Sequence, residues 1–202
     1  MTTILVLGQD QTALMVAKQL ASSSTVKVHL MVAESNGVPD NLPDQITIFQ
    51  GDLTQPESYE RVLDGVGYLY SGLEGSGVDL ALEAVFDELR IRRQALTRTV
   101  MLTTLGVDQE LTSPMAYPGI LDVSGYLNEQ RFAAKVIDEA EFPYTLLRAG
   151  ELVDGPAERP RLISEGTPVQ PTPVSRETIA TLATQILLGG GYDYQSLGVI
   201  QA

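Results

Sequence analysis

The stretch Met1-Thr-Thr-Ile-Leu-Val-Leu-Gly-Gln-Asp-Gln-Thr-Ala-Leu-Met-Val-Ala-Lys-Gln-Leu20 decides the fold. Its apolar run from Ile4 to Leu7 stops at Gly8, and apolar residues then recur at Ala13, Leu14, Ala17 and Leu20. The spacing changes from that of a buried strand to that of a helix within a few residues. A strand, a glycine turn and a helix in that order open a doubly wound α/β fold, with the turn at the carboxyl edge of a parallel sheet. A dinucleotide fingerprint at such a turn carries three glycines: one for the tight turn, one for close approach of the backbone to a pyrophosphate, and one for helix-to-strand packing. Only Gly8 is present, and Gln11 and Leu14 stand at the other two positions. The fold signal is therefore stronger than the cofactor signal.

The same alternation continues through the chain. Strand patterns are predicted at residues 26–32, 45–49, 66–70, 99–103, 144–148 and 196–200. Between them, Thr54 is expected to cap a short helix through Leu63, with Pro56 and Glu57 in its first turn. A long helix is predicted over 78–96, its basic end formed by Arg90, Arg92, Arg93 and Arg98. A proline-bearing connection with Pro114 and Pro118 is long enough to cover a pocket, and helices follow at 124–140 and from the Ser175 cap to Leu188. Residues 150–173, rich in Pro, Gly and Glu, are expected to form a small C-terminal flap with short strands at 161–164 and near 168–170. The expected architecture is one domain over 1–202: a Rossmann-like, doubly wound parallel sheet with helices on both faces.

Composition excludes several chemistries. The 202 residues include no cysteine, so disulfides, thiolate nucleophiles and Cys-ligated zinc are absent. The single histidine, His29, falls in the second strand, where a structural role is expected, and no metal ligands are assigned. Acidic residues outnumber basic ones 26 to 13, and the net charge of −13 repels nucleic acid and anionic membrane surfaces. No apolar run is long enough to span a bilayer, and the N-terminus passes straight into a strand, so a cytoplasmic location is expected.

Several pieces together resemble the NmrA-like, atypical short-chain dehydrogenase/reductases, which bind NAD(P) on a Rossmann domain. They are Gly51-Asp-Leu-Thr-Gln-Pro-Glu-Ser58 with Leu63-Asp-Gly-Val66, then Thr103-Thr-Leu-Gly-Val-Asp108, Tyr144-Thr-Leu-Leu-Arg148 and Val174-Ser-Arg-Glu177. The resemblance implies a pyrophosphate beside Gly8, Gln9, Asp10, Gln11 and Thr12, a ribose beside Ala33 and Glu34, and an adenine beside Asp52 and Leu53. It implies the second ribose and the nicotinamide near Ser71, Gly72 and Leu73 and near Thr103 and Thr104. Tyr126 and Gln130 fall where the superfamily has a catalytic Tyr-x-x-x-Lys pair.

The departures from the family pattern are systematic. Side chains replace two glycines of the first turn. Ala33 and Glu34 stand where NADP-preferring relatives carry arginine, so NAD is favoured over NADP if a dinucleotide binds, and a pocket without one is the alternative. Gln130 carries no charge to lower the pKa of Tyr126, which leaves a poor base at neutral pH. Arg148-Ala149-Gly150 replaces Arg-Pro-Gly. The expected function is ligand sensing or regulation through a worn dinucleotide site. The alternative is an NAD(P)-dependent oxidoreductase in which Thr103, Thr104 and Tyr126 polarise a small carbonyl or alcohol substrate. A pocket working through its own acids, such as Asp10, Glu74 or Glu151, is a third reading. A small-molecule ligand is the expected partner, with a protein partner or a homodimer through helices 78–96 and 124–140 as further expectations.

Overall fold

The computed structural model describes residues 1–201. Four parallel strands build its centre: β1 (Thr2–Leu7), β4 (Val66–Ser71), β5 (Arg98–Thr104) and β6 (Tyr144–Ala149). With β2 (Val26–Ala33), β3 (Ile46–Gly51), β8 (Pro160–Ser164) and β10 (Gln195–Gln201) they form one eight-stranded sheet in the order β3-β2-β1-β4-β5-β6-β10-β8. Every pairing is parallel except β8 against β10. The strand order reverses between β1 and β4, and a crevice opens at such a switch point on the carboxyl side.

Residues of β1 alternate between two cores, which fixes the layers. Ile4 and Val6 pack with α1 (Gln11–Ala21) and α4 (Arg176–Gly189), meeting Val16, Leu20, Ile179 and Ala183. Leu5 and Leu7 face the opposite side and pack with α2 (Val78–Arg92) and α3 (Val123–Glu139), meeting Leu82, Val85, Ala133 and Ile137. All four β1 side chains are fully buried, as a parallel strand covered on both faces requires.

Local chemistry moves several boundaries away from the sequence expectation. Thr54 is not a helix cap: its N–H and hydroxyl both donate to Asp52 Oδ1, at 2.9 and 2.8 Å, and only a 3-10 turn over Pro56–Tyr59 follows. The short Asx turn satisfies the backbone locally and leaves nothing for a longer helix to cap. Helix α2 ends at Arg92 because Arg93 adopts a left-handed conformation at φ 53°. Gln94 then donates to the carbonyls of Leu63 and Val66, both at 2.8 Å, which turns the chain back toward the sheet and buries Leu96 outside the helix. Arg98 is not at the helix end either: it lies on β5 and pairs with Asp193 at 2.8 Å.

The segment 150–173 divides its roles. The expected strand at 161–164 is present as β8, an antiparallel edge of the main sheet, while 168–170 forms only a bridge between Val169 and Leu111. A separate two-stranded ladder joins β7 (Leu152–Val153) to β9 (Val174–Ser175), and it places the start of α4 at the carboxyl edge beside β6. His29 has the structural role expected of it, donating from Nδ1 to the Val62 carbonyl at 2.6 Å and lying against Phe49. Among the described residues no helix is long and apolar enough to cross a membrane, and no group of side chains could hold a metal ion.

Candidate functional site

Two cavities flank the switch point, and Leu73 and Glu74, just after β4, line both. The first, about 180 Å³, lies over the ends of β5 and β6. Thr103, Thr104, Tyr126, Gln130, Glu151 and Arg176 supply its polar lining, and Met115, Tyr117, Pro118 and Ile120 cover it. The proline-bearing connection therefore covers a pocket, as its length suggested. The second cavity, about 390 Å³, lies over the ends of β2 and β3 and is lined by Ala33, Glu34, Asp52, Leu53 and Val78.

The first turn stands apart from both linings. Gly8 has φ +106°, and a Cβ there would lie 3.1 Å from the Gly72 carbonyl oxygen, so glycine is required for the backbone and for its contact with the β4 loop. Asp10 caps α1: its carboxylate accepts from the Thr12 N–H at 2.7 Å and the Ala13 N–H at 3.1 Å. The amides that make a helix N-terminus an anion seat are thus already occupied by an anion of the chain itself. Burial raises the pKa of Asp10 and those two amides hold it down, with Arg176 adding a favourable charge. Glu74 is also pushed up, first by burial and then by the Asp10 charge. Gln11 is exposed, Thr12 is buried, and Gln9 holds a buried Oε1 with no hydrogen-bond partner.

The remaining sequence candidates separate into lining and backing residues. Ser71 and Gly72 line neither cavity. Ser71 is fully buried with its hydroxyl unpartnered, and a Cβ on Gly72 would meet Ala13 and Asp10 at 3.1 and 3.3 Å. Of that strand end only Leu73 faces the cavities. Asp52 keeps its carboxylate below the usual range through the Thr54 N–H and hydroxyl. In the first cavity, Thr103 Oγ1 and Gln130 Oε1 are buried without protein partners, whereas the Thr104 hydroxyl donates to the Leu105 carbonyl at 3.3 Å. Buried unpaired polar atoms are uncommon, and two of them on one cavity wall mark a place for a polar ligand.

Tyr126 stays protonated at neutral pH, and so is unavailable as a base and weak as an acid. Burial, then the Glu74 charge, then Tyr117 push its pKa well above the ordinary tyrosine value. Tyr117 packs edge-on against it and donates to the Leu105 carbonyl at 2.8 Å. The position held by lysine in a Tyr-x-x-x-Lys pair is the Gln130 amide, and Lys135 lies exposed beside Glu139.

Arg176 is the residue sequence reasoning overlooked. It is the only cation lining the first cavity, and its one side-chain hydrogen bond among the described residues goes to the exposed Asp154 at 3.0 Å. The available signal was positional: a cation in the first turn of α4 opposes the helix dipole, so its presence there calls for another purpose. Arg148 was visible in the sequence, but its partner was not. Its guanidinium is fully buried against Glu110 at 2.6 Å, with Asp108 at 3.1 Å, and this ties the cover of the first cavity to β6.

The fold is of the doubly wound class that binds nucleotides at its switch point, and the comparison with known families agrees. The chain belongs to the NAD(P)H-binding family, which matches residues 8–188. A Rossmann-fold NAD(P)-binding family protein from Shigella flexneri is 25% identical, with a TM-score of 0.81 over 100% of this chain and 94% of that one. A short-chain dehydrogenase/reductase from Veillonella parvula DSM 2008 in complex with NADP is 20% identical, with a TM-score of 0.79 over 99% and 94%. ChuY, an anaerobillin reductase from Escherichia coli O157:H7, is 18% identical, with a TM-score of 0.78 over 99% and 97%. The last two likenesses carry the fold alone. No curated protein matches the sequence.

Proposed function

We propose that this protein is a ligand-sensing or regulatory member of the family, NmrA-like in type, in which the dinucleotide site is worn at the pyrophosphate. The observation that carries this reading is the Asp10 carboxylate on the N-terminal amides of α1, with Glu74 nearby to add like charge. A pyrophosphate arriving there meets two carboxylates in a partly desolvated crevice, and juxtaposed like charges cost several kcal/mol. Gln11 adds a side chain at the position where a glycine would admit the phosphates. Tyr126, held protonated by its raised pKa, and the uncharged Gln130 support a binding role over hydride transfer.

Where a dinucleotide does enter, NAD is preferred to NADP. Glu34 lines the second cavity, which carries no cation among its lining residues to meet a 2′-phosphate, and a carboxylate at this place accepts hydrogen bonds from a ribose diol. A second reading, an NAD(P)-dependent reductase of a small carbonyl, draws on the unpaired Thr103 hydroxyl and Gln130 amide in the first cavity.

A thermal-shift series with NAD, NADH, NADP and NADPH, run beside a nicotinamide-absorbance assay with small carbonyls, tests the choice. A ligand at 100 times its dissociation constant adds about 2.7 kcal/mol of stability. The expected outcome is a shift far smaller than that at millimolar dinucleotide, with no carbonyl-dependent oxidation. A large shift accompanied by turnover would replace this reading with the reductase.

A further inference from the structure

The charges around the two cavities are arranged in order, and the order describes a ligand. The second cavity has apolar walls at Leu53, Leu73 and Val78 and a carboxylate, Glu34, at the end of β2. The shared wall carries Glu74, within electrostatic reach of Asp10. The first cavity carries Arg176, itself close enough to both carboxylates to favour their ionised forms. A planar base suits the apolar walls, a diol suits Glu34, a cation suits the space near Glu74 and Asp10, and an anion suits Arg176.

We infer that the two cavities together take a nucleoside whose 5′ substituent is an amino acid, in place of a dinucleotide. This inference rests on the reading of the pyrophosphate seat as worn. The ligand's ammonium lies toward Glu74 and Asp10, and its carboxylate lies toward Arg176. The Arg176 guanidinium is free for this because its partner Asp154 is largely solvent-exposed, and exposed pairs contribute little. Gln130 Oε1 and Thr103 Oγ1, both more than nine-tenths buried and without protein partners, are acceptors for the remaining ammonium protons. A diphosphate complements Arg176 alone and presents further anions to Glu74 and Asp10, where the chain presents carboxylates.

Isothermal titration of the full chain with S-adenosylhomocysteine, S-adenosylmethionine, adenosine, ADP and NAD tests the inference. The two amino-acid nucleosides are expected to bind at least tenfold more tightly than adenosine, and ADP and NAD more weakly than adenosine. Arg176→Gln is expected to reduce the amino-acid nucleosides to the level of adenosine while leaving adenosine itself unchanged, and Glu74→Gln to weaken them at least fivefold. Retention of full affinity by both variants would overturn the inference. If neither amino-acid nucleoside nor NAD binds, this inference fails and the reading of a worn pyrophosphate seat stands. If NAD binds more tightly than either amino-acid nucleoside, both fail.

Discussion

Asp10 does two things with one side chain. As an N-cap it satisfies two of the amides that a helix leaves unpaired, and as a buried anion it carries a charge that its surroundings do not fully compensate. Burial lifts its pKa above that of the unfolded chain, and the same holds for Glu74. Between the unfolded and the raised folded values, the folded state binds more protons, so the contribution of each group is full below the unfolded value and is lost as pH rises through the folded one. Asp10→Asn keeps the cap and removes the charge. Denaturant titrations between about pH 3 and pH 7 should therefore show wild type losing stability relative to Asp10→Asn as pH rises. A constant difference across that interval would contradict the assignment. Gly106 offers a second test: at φ +97° its Cβ would overlap the Tyr117 hydroxyl oxygen at 2.2 Å. Gly106→Ala should displace Tyr117 from the Leu105 carbonyl and cost about 1–3 kcal/mol, read from the urea midpoint. Wild-type stability would mean that the turn relaxes freely.

At the scale of elements, the connection after β5 behaves as a fitted cover. Arg131 donates to the Val107 carbonyl at 2.8 Å, the Val169 N–H donates to the Glu110 carbonyl at 2.8 Å, and the Arg148 guanidinium grips the Glu110 carboxylate in the interior. Removing Glu110 leaves the buried Arg148 guanidinium with the partly exposed Asp108 as its one remaining carboxylate, so Glu110→Ala should destabilise the fold by about 1–3 kcal/mol in urea titrations, below the cost of a fully orphaned buried charge. A loss below about 1 kcal/mol would place the pair in effective contact with solvent. Elements of this kind were unevenly legible in the sequence. The strands and the Ser175 cap could be read from apolar runs and from a hydroxyl ahead of a helical pattern, and the cap is in place, with Ser175 Oγ accepting from the Thr178 N–H at 3.1 Å. The ends of α2 and the absence of a helix beyond Tyr59 were hidden, because each depends on a contact with a distant segment or on a two-residue Asx turn. Glu110 was invisible as a partner for Arg148 because 38 residues separate them and only the fold brings them together.

At the scale of the whole molecule, the doubly wound order puts the turns after β1, β4, β5 and β6 on one edge, and the sequence announced that edge through its alternating strands and helices. Several of the residues that the sequence singled out by position line the two cavities, among them Glu34, Asp52, Leu73, Thr103 and Tyr126. What it did not announce was orientation: Ser71 and Gly72 turn inward, Asp10 turns onto the helix amides, and Arg176 arrives from a helix far along the chain. The net charge of −13 adds a long-range field to the local one. Screening weakens such repulsion, with a Debye length of about 8 Å at physiological ionic strength. Any residual affinity for NAD should consequently rise as salt is raised, opposite to the behaviour of a basic anion site, and a fall with salt would place a cation at the phosphates.

Whether the Asp10 carboxylate holds the seat a pyrophosphate needs is read from calorimetric titration of NAD into wild type and Asp10→Asn. Removing about 1.4 kcal/mol of repulsion corresponds to a tenfold tighter dissociation constant. A gain of tenfold or more is expected for Asp10→Asn at pH 7; equal NAD affinity in the two proteins would show that the carboxylate does not oppose the phosphates.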